Sequence, residues 1–244
     1  NDNLSGIAVA TFLSQMLSSQ SRRYSYRVLF IPGTIGSITW LALHEAALRD
    51  IRHGFVVTGV GDSGRFTYKK SRQGKAEIDR VFQHVLQHSQ QQHDIIDFFP
   101  YGYDERQYCS PGFNLPMGCF MRTPHGQYSE YHTSADNLDF VRPQYLAESL
   151  TQCLSVLHVI EHNKTYINQN PKCEPQLGRR GLYRAVAGQQ EGNQGELALL
   201  WVLNLSDGSH TLLDIATRSG LRFALIKTAA DALHDSGLLR EMAA

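Results

Sequence analysis

The sequence has few cysteines, no long apolar run and no excess of either charge. Four cysteines stand among 244 residues, and none forms a Cys-x-x-Cys pair. This spacing argues against a disulfide framework and a structural zinc knuckle, and it favours reduced thiols in a cytoplasmic protein. No apolar run approaches the roughly 18 residues of a membrane span, so we expect no membrane partner and no signal peptide.

Charge is balanced along the chain. Lysine plus arginine and aspartate plus glutamate each total 23, so the chain as a whole has no electrostatic reason to bind nucleic acid. The hydrophobic share of 42% is enough for one sizeable α/β domain and a small module.

The chain starts at Asn1, without Met, inside a motif. We therefore expect a fragment whose upstream part is missing.

The order of apolar segments predicts an α/β domain over residues 1–165, with a mostly parallel sheet flanked by helices. A helix after the opening turn leads to a short apolar run at residues 28–31, which is typical of a buried parallel strand. Further helices are predicted at residues 36–51, 77–88 and 142–161, and further strands at 55–60, 66–68, 95–99 and 117–122.

The composition changes after this domain. Residues 166–193 are rich in Asn, Gln, Pro and Gly, which indicates an extended connector. Residues 194–244 then show three helical segments with helix-turn-helix spacing. Ser209 or Thr211 can cap the second helix, Gly220 can end it, and Leu239 would lie in a wing strand. We therefore predict a winged-helix-like module at the carboxyl end.

The charges of this module argue against DNA binding. Its predicted third helix has few cations to meet phosphates, and the module is slightly acidic. We therefore expect no nucleic-acid partner, and a protein partner or a packing role for the module. From position 194 onward, the basic residues are Arg218, Arg222, Lys227 and Arg240, and the acidic ones are Glu196, Asp207, Asp214, Asp231, Asp235 and Glu241.

Two polar motifs contain candidate metal ligands. His132 stands in the segment Y-H-T-S-A-D-N-L-D, next to a turn rich in Thr, Ser, Asp and Asn, and Asp2 stands in N-D-N-L-S-G just ahead of a helix. A histidine and an aspartate brought together by folding can form two parts of one metal site. The alternative is that both are ordinary turn residues.

A third candidate lies in a glycine-rich turn after a predicted strand. Residues 59–64 match G-x-G-x-x-G, but the dinucleotide-binding fingerprint requires a helix that begins at the third glycine. The next residues, Arg-Phe-Thr-Tyr-Lys-Lys, are not an amphipathic helix start. Asp62, inside this turn, is therefore the residue of interest, either as a metal ligand or as an aspartate that fixes the turn.

Taken in order, the two polar motifs resemble the two ends of the zinc-aminopeptidase fold. Between them, D-E-R-Q-Y and N-L-P are similar to a subgroup of bacterial aminopeptidase-like proteins, often encoded near polysaccharide-biosynthesis genes, that end in a winged helix. The resemblance implies zinc as the cofactor and a peptide or amide-bearing small molecule as the substrate. It also implies Asp2, Asp62 and His132 as metal ligands, with a further histidine ligand upstream of Asn1.

The catalytic turn departs from that family. The turn after the family's second strand has two adjacent glutamates, one the general base and one a ligand. Gly33 and Thr34 stand at these positions, and neither can accept a proton near neutral pH. We therefore assign no catalytic residue and expect weakened activity. The alternative is a non-catalytic binding or regulatory module that keeps the peptidase fold.

Substrate contacts are expected from the tyrosine-rich loop ahead of His132. Asp104 and Arg106 can orient a substrate amine or carboxylate, with Arg106 as a bidentate anion clamp. The alternative is an ion pair within the loop. Tyr131 and the neighbouring tyrosines can form a pocket wall for a peptide or sugar-like ligand, or they can be ordinary packing.

Overall fold

The computed structural model describes residues 1–182 and 192–242. They form two compact units, Asn1–His158 and Val159–Ala244. Within the described ranges, every helix is too short or too polar to cross a bilayer. Residues 183–191 of the expected connector and residues 243–244 of the expected module lie outside the described residues.

The first unit is a mixed α/β structure with a mainly parallel sheet flanked by helices, as predicted. The elements are α1 (Leu4–Ser18), α2 (Ile35–Leu43), β1 (Gly54–Val57), β2 (Phe66–Lys69), α3 (Glu77–Gln87), β3 (His93–Ile96), α4 (Glu105–Tyr108), β4 (Met117–Met121) and α5 (Pro143–His162). The four strands have the order β1-β4-β2-β3; β1 pairs with β4 and β2 with β3 in parallel, whereas β2 and β4 are antiparallel. The last helix, α5, continues into the second unit.

Aromatic residues form the core between the sheet and α3. The Tyr68 ring stacks on Phe82, with centroids 4.1 Å apart, and Phe82 lies 5.4 Å from the Phe120 ring. The Tyr68 hydroxyl donates to Asp79 Oδ1 at 2.9 Å, so its one polar group is satisfied inside the core. The predicted amphipathic helix at 77–88 is confirmed, because its apolar face covers this sheet.

Two predicted elements are wrong. Residues 28–31 form no strand; Val28 is 37% and Phe30 54% exposed. Leu29 packs instead on the cluster around Leu41, so this run has no place in the sheet. The helix predicted at 36–51 is divided in two: an α-helix covers Ile35–Leu43, and a separate 3₁₀ helix follows at Glu45–Asp50. Short apolar runs and helix breaks of this kind depend on tertiary neighbours rather than on local pattern.

The start of α1 lies directly against the end of β1. A Cβ atom on Gly6 would approach the Val57 carbonyl oxygen to 2.1 Å, so only glycine permits this contact. The Ser5 hydroxyl accepts from the backbone nitrogen of Val60 at 3.0 Å. These contacts place Asn1 and Asp2 beside the loop that follows β1.

The second unit is a winged helix, as predicted. Its three strands form an antiparallel sheet in the order β6-β5-β7. Thr211 caps α7 and exchanges hydrogen bonds with Asp214, as the capping prediction required. Strand β5 begins at the last residue of the predicted first domain and continues into the first three residues of the predicted connector. The elements are β5 (Thr165–Asn168), α6 (Gly192–Leu205), β6 (Asp207–Thr211), α7 (Leu212–Ser219), α8 (Phe223–Asp235) and β7 (Leu239–Glu241).

Candidate functional site

Asp2 and His132 meet at the surface of the first unit. Asp2 Oδ2 lies 3.0 Å from His132 Nε2, although 130 positions separate the two residues. The His132 side chain is 61% exposed and that of Asp2 16%. His132 has a φ of 57°, a left-handed conformation that is uncommon outside glycine and recurs at functional sites. The structure therefore brings together two of the three predicted metal ligands.

Asp136 holds the Asp2 backbone in place. Its Oδ2 accepts from the Asp2 backbone nitrogen at 2.9 Å, and its Oδ1 accepts a short bond from the backbone nitrogen of Asn1. The sequence analysis did not select Asp136. Its position four residues after His132 in the same polar turn could have indicated that the turn closes over the opening motif.

Asp62 is buried behind this pair. It is 1% exposed, and its Oδ1 accepts from the Gly64 backbone nitrogen and the Thr123 hydroxyl, both at 2.7 Å. Its Oδ2 accepts from Asn1 Nδ2 at 2.9 Å. Both carboxylate oxygens are therefore engaged in fixing the turn, as the alternative reading of this residue expected. Asn1 links Asp62 to the neighbouring Asp2.

The donor atoms can be compared with what zinc requires. Carboxylate oxygen and imidazole nitrogen are ordinary zinc ligands, so Asp2 and His132 fit two positions of a metal site. Asp62 does not offer a third ligand, because both of its carboxylate oxygens accept hydrogen bonds from the protein. Across the part of the chain that the structure describes, no three or more His, Cys, Asp or Glu side chains gather closely enough to hold a metal ion.

Asp104 contacts the turn that contains Gly33 and Thr34. Its Oδ1 accepts from the Thr34 backbone nitrogen at 2.7 Å and accepts a short bond from the Ser37 hydroxyl. Thr34 has a φ of 63°, which is strained for a β-branched residue. Asp104 therefore stabilises an unusual turn at the start of α2. Arg106, two residues further along, is exposed on α4.

A buried ion pair joins this loop to the sheet. Lys69 on β2 pairs with Glu105, and both side chains are 2% exposed. Lys69 Nζ also donates to the Tyr101 carbonyl oxygen at 2.6 Å. The backbone nitrogen of Tyr103 donates to Glu105 Oε2 at 3.2 Å. The buried pair thus fixes the tyrosine-rich loop on the sheet.

Aromatic rings surround the Asp2–His132 pair. Tyr131 stacks on His132, with centroids 3.9 Å apart, and its hydroxyl lies 2.9 Å from the Tyr103 hydroxyl. Burial, followed by the hydrogen bond to Tyr103, raises the pKa of Tyr131. Tyr131 therefore contacts one of the predicted metal ligands, and its role as a pocket wall stays a prediction.

His125 is a site residue that the sequence analysis missed. Its ring lies 5.0 Å from Tyr103 and 6.2 Å from Tyr131, measured between centroids. Burial lowers the pKa of His125, while the charges of Glu105 and Asp2 act in the opposite direction. Its position in the loop after β4 was the available signal, because residues after the carboxyl ends of parallel strands commonly form sites.

The winged helix offers little free positive charge on its third helix. Lys227 Nζ lies 2.6 Å from Asp231 Oδ2 on the next turn of α8, so an acidic neighbour offsets this cation. Absence of nucleic-acid binding and contact with a protein partner both remain predictions for this module.

Comparison with known proteins gives two family matches and a relative among the curated proteins. Residues 1–163 match a domain of unknown function, DUF4910, and residues 164–241 match a winged helix-turn-helix. A Clostridium acetobutylicum protein, provisionally named for polysaccharide biosynthesis with an aminopeptidase-like domain, is 52% identical over 240 residues. The match covers 98% of this chain and 55% of that protein. This chain thus spans about half the length of that relative.

Two solved structures are similar to the chain. A crystal structure from Clostridium acetobutylicum, provisionally named a peptidase, is 50% identical with a TM-score of 0.92, over 99% of this chain and 54% of that one. An aminopeptidase from Aneurinibacillus sp. strain AM-1 is 19% identical with a TM-score of 0.56, over 66% of this chain and 39% of that one. The second likeness concerns the fold alone.

Proposed function

The chain belongs to the DUF4910 family through residues 1–163, and from that premise we propose that it is a zinc-dependent aminopeptidase-like hydrolase with weakened activity. Its fold is peptidase-like, as the relatives and structural neighbours show. The proposed substrate is a peptide or an amide-bearing small molecule. The name of the relative extends the proposal to a role in polysaccharide biosynthesis.

The observation that supports this proposal most is the pairing of Asp2 with His132. The two side chains come from distant parts of the chain and present a carboxylate oxygen and an imidazole nitrogen 3.0 Å apart. They would hold the zinc ion, with Asp62 as the further ligand that the resemblance to zinc aminopeptidases implies. A bound zinc ion polarises a substrate carbonyl and lowers the pKa of water.

Weakened activity follows from the turn at Gly33. The nearest heavy atom to a Cβ built on Gly33 is Tyr103 Cδ1, at 3.7 Å, so the residue faces the aromatic site but offers no proton acceptor. The nearby carboxylate of Asp104 is already bonded to Thr34 and Ser37. A general base typically contributes about 10²- to 10⁴-fold to rate, and this turn supplies none.

Three residues are proposed to contact the substrate. Tyr131 has the strongest support, because its ring lies directly on His132. Arg106 is exposed and can meet an anionic group. Asp104 would act mainly through the Thr34 turn that it holds.

A cytoplasmic location remains part of the proposal, since no disulfide joins Cys109, Cys119, Cys153 and Cys173.

Restoring a carboxylate at position 33 tests this function. The hydrolysis of leucine p-nitroanilide should be compared in zinc-loaded wild-type protein and Gly33→Glu, for which the backbone has room. We expect little activity in wild type and a rise of roughly 10²-fold or more in the variant. Gly112→Glu, at an open loop position, is the matched control and should change nothing.

Two other outcomes would distinguish a weakened hydrolase from a fully active one and from a non-catalytic module. High activity in wild-type protein would contradict the weakened-hydrolase proposal, because another residue would then supply the base. An inactive Gly33→Glu variant with zinc bound would favour the non-catalytic binding or regulatory module.

A further inference from the structure

His125 has a buried ring nitrogen, and its ring lies beside Tyr103 and Tyr131 of the candidate site. Its Nε2 is shielded from solvent and has no hydrogen-bond partner among the residues that the structure describes. Buried polar atoms in folded proteins are nearly always hydrogen-bonded, because an unpaired one loses its contacts with water and gains nothing in return. In His125 this exception lies next to the aromatic residues of the candidate site, which distinguishes it from similar atoms elsewhere in the fold.

The nearby acidic groups are already occupied. Glu105 and Asp2 both act on His125 electrostatically, but Glu105 pairs with Lys69 and Asp2 with His132. Within the described ranges, no side chain completes His125 Nε2, although the nitrogen lies in a charged neighbourhood. The edge-on ring of Tyr103, with centroids 5.0 Å apart, fixes the imidazole plane.

We propose that His125 is a ligand-binding residue whose Nε2 hydrogen-bonds an amide group of the substrate, held between Tyr103, Tyr131 and the Asp2–His132 pair. This inference rests on the proposed function and adds a contact to it. An amide offers an N–H donor and a carbonyl acceptor within one plane, so it can satisfy either neutral tautomer of the ring. Burial also favours the neutral ring, which lowers the pKa of His125.

A purely structural role for His125 predicts different behaviour. If its ring served only packing, phenylalanine would fill the same space, and removal of an unpaired buried nitrogen would leave stability unchanged or improved. Ligand binding would then be unaffected as well. The binding role predicts that the same substitution keeps the fold and weakens ligand binding.

The experiment uses L-leucinamide as the amide probe and the full zinc-loaded chain. Its dissociation constant is measured by NMR titration for wild type, His125→Phe and His125→Gln, and imidazole ¹⁵N shifts are followed in wild type. We expect the His125 Nε2 resonance to move, His125→Phe to weaken binding about 10-fold or more, and His125→Gln to retain part of the affinity, because its amide keeps a donor and an acceptor.

His53→Phe is the matched control. Among the described residues, His53 Nδ1 is also buried without a hydrogen-bond partner. The residue stands just ahead of β1, at the opposite end of the strand from the loop that contains Asp62. It should leave leucinamide binding unchanged. An equal loss in His53→Phe and His125→Phe would overturn the inference.

Measurements of melting temperature and zinc content distinguish a failure of the role proposed for His125 from a failure of the proposed function. The melting temperature of His125→Phe should equal or exceed that of wild type, and its zinc content should match wild type. Unchanged leucinamide affinity in a folded, zinc-loaded His125→Phe would overturn the role of His125 alone. Failure of wild-type protein to bind zinc would instead overturn the proposed function.

Discussion

Lys69 Nζ lies 2.5 Å from Glu105 Oε1, and both side chains are 2% exposed. Lys69 belongs to β2 and Glu105 to α4, so the pair joins the sheet to the loop that contains Tyr103 and Asp104. Burial of two opposite charges is tolerated because each also has hydrogen bonds to the backbone. The position of this side of the site therefore depends on one buried ion pair.

Removal of the lysine should be costly. Lys69→Met leaves the Glu105 carboxylate buried without its counter-charge, and we expect it to lower the free energy of unfolding by about 3–5 kcal/mol. Urea unfolding measures this change. Lys70→Met is the control, because Lys70 pairs with Asp97, which is 88% exposed, and such a pair contributes at most about 1 kcal/mol. Equal losses in the two variants would contradict the structural importance of the buried pair.

Asp62→Asn tests the hydrogen bonds that hold the glycine-rich turn. The new amide would place an N–H group opposite Asn1 Nδ2, and Asn1 cannot simply reverse its amide because its Oδ1 accepts from the Gly61 backbone nitrogen at 2.9 Å. We expect a loss of about 1–3 kcal/mol in unfolding free energy. Thermal unfolding with a chelator present removes any contribution from metal. Asp97→Asn, at an exposed position, should be neutral; an unchanged Asp62→Asn would argue against this bonding.

His84 should make stability depend on pH. It is 5% exposed, and burial, followed by the charge of His88, lowers its pKa from 6.5 to about 4. Between these pH values the unfolded chain binds a proton that the fold excludes, so unfolding free energy falls as the pH drops from 6.5 to 4. The titration of His84 should lower the free energy of unfolding by about 3 kcal/mol at pH 4.

His84→Gln removes this titration. The difference in unfolding free energy between pH 6.5 and pH 4 should shrink by about 3 kcal/mol relative to wild type. His44→Gln, an exposed histidine at the end of α2, serves as the control. The same pH dependence in His84→Gln and wild type would show that His84 is not the group responsible.

The sequence predicted the fold class and the winged helix because both depend on periodic apolar patterns. The helix at 77–88 was predicted within one residue of α3, since its apolar residues repeat at helical spacing. The run at 28–31 was misleading because four apolar residues do not reveal what they pack against. Leu29 meets the Leu41 cluster, and no local signal distinguishes this contact from a place in the sheet.

The site could be predicted only in part. The meeting of Asp2 and His132 followed from a resemblance in motif order, and the structure brings the two together. The roles of Asp104 and His125 depend on long-range contacts. Asp104 reaches the Thr34 turn across 70 positions, and the unsatisfied nitrogen of His125 is visible only once its burial is known.

Zinc content tests the central claim most directly. Wild-type chain, His132→Ala and the control His44→Ala should each be incubated with zinc, desalted and measured by elemental analysis. The proposed site has few protein ligands, so removal of one of them should remove most of the metal. We predict that wild type and His44→Ala retain zinc equally and that His132→Ala retains little. Equal zinc in His132→Ala and wild type would contradict the assignment of the Asp2–His132 pair as the metal site.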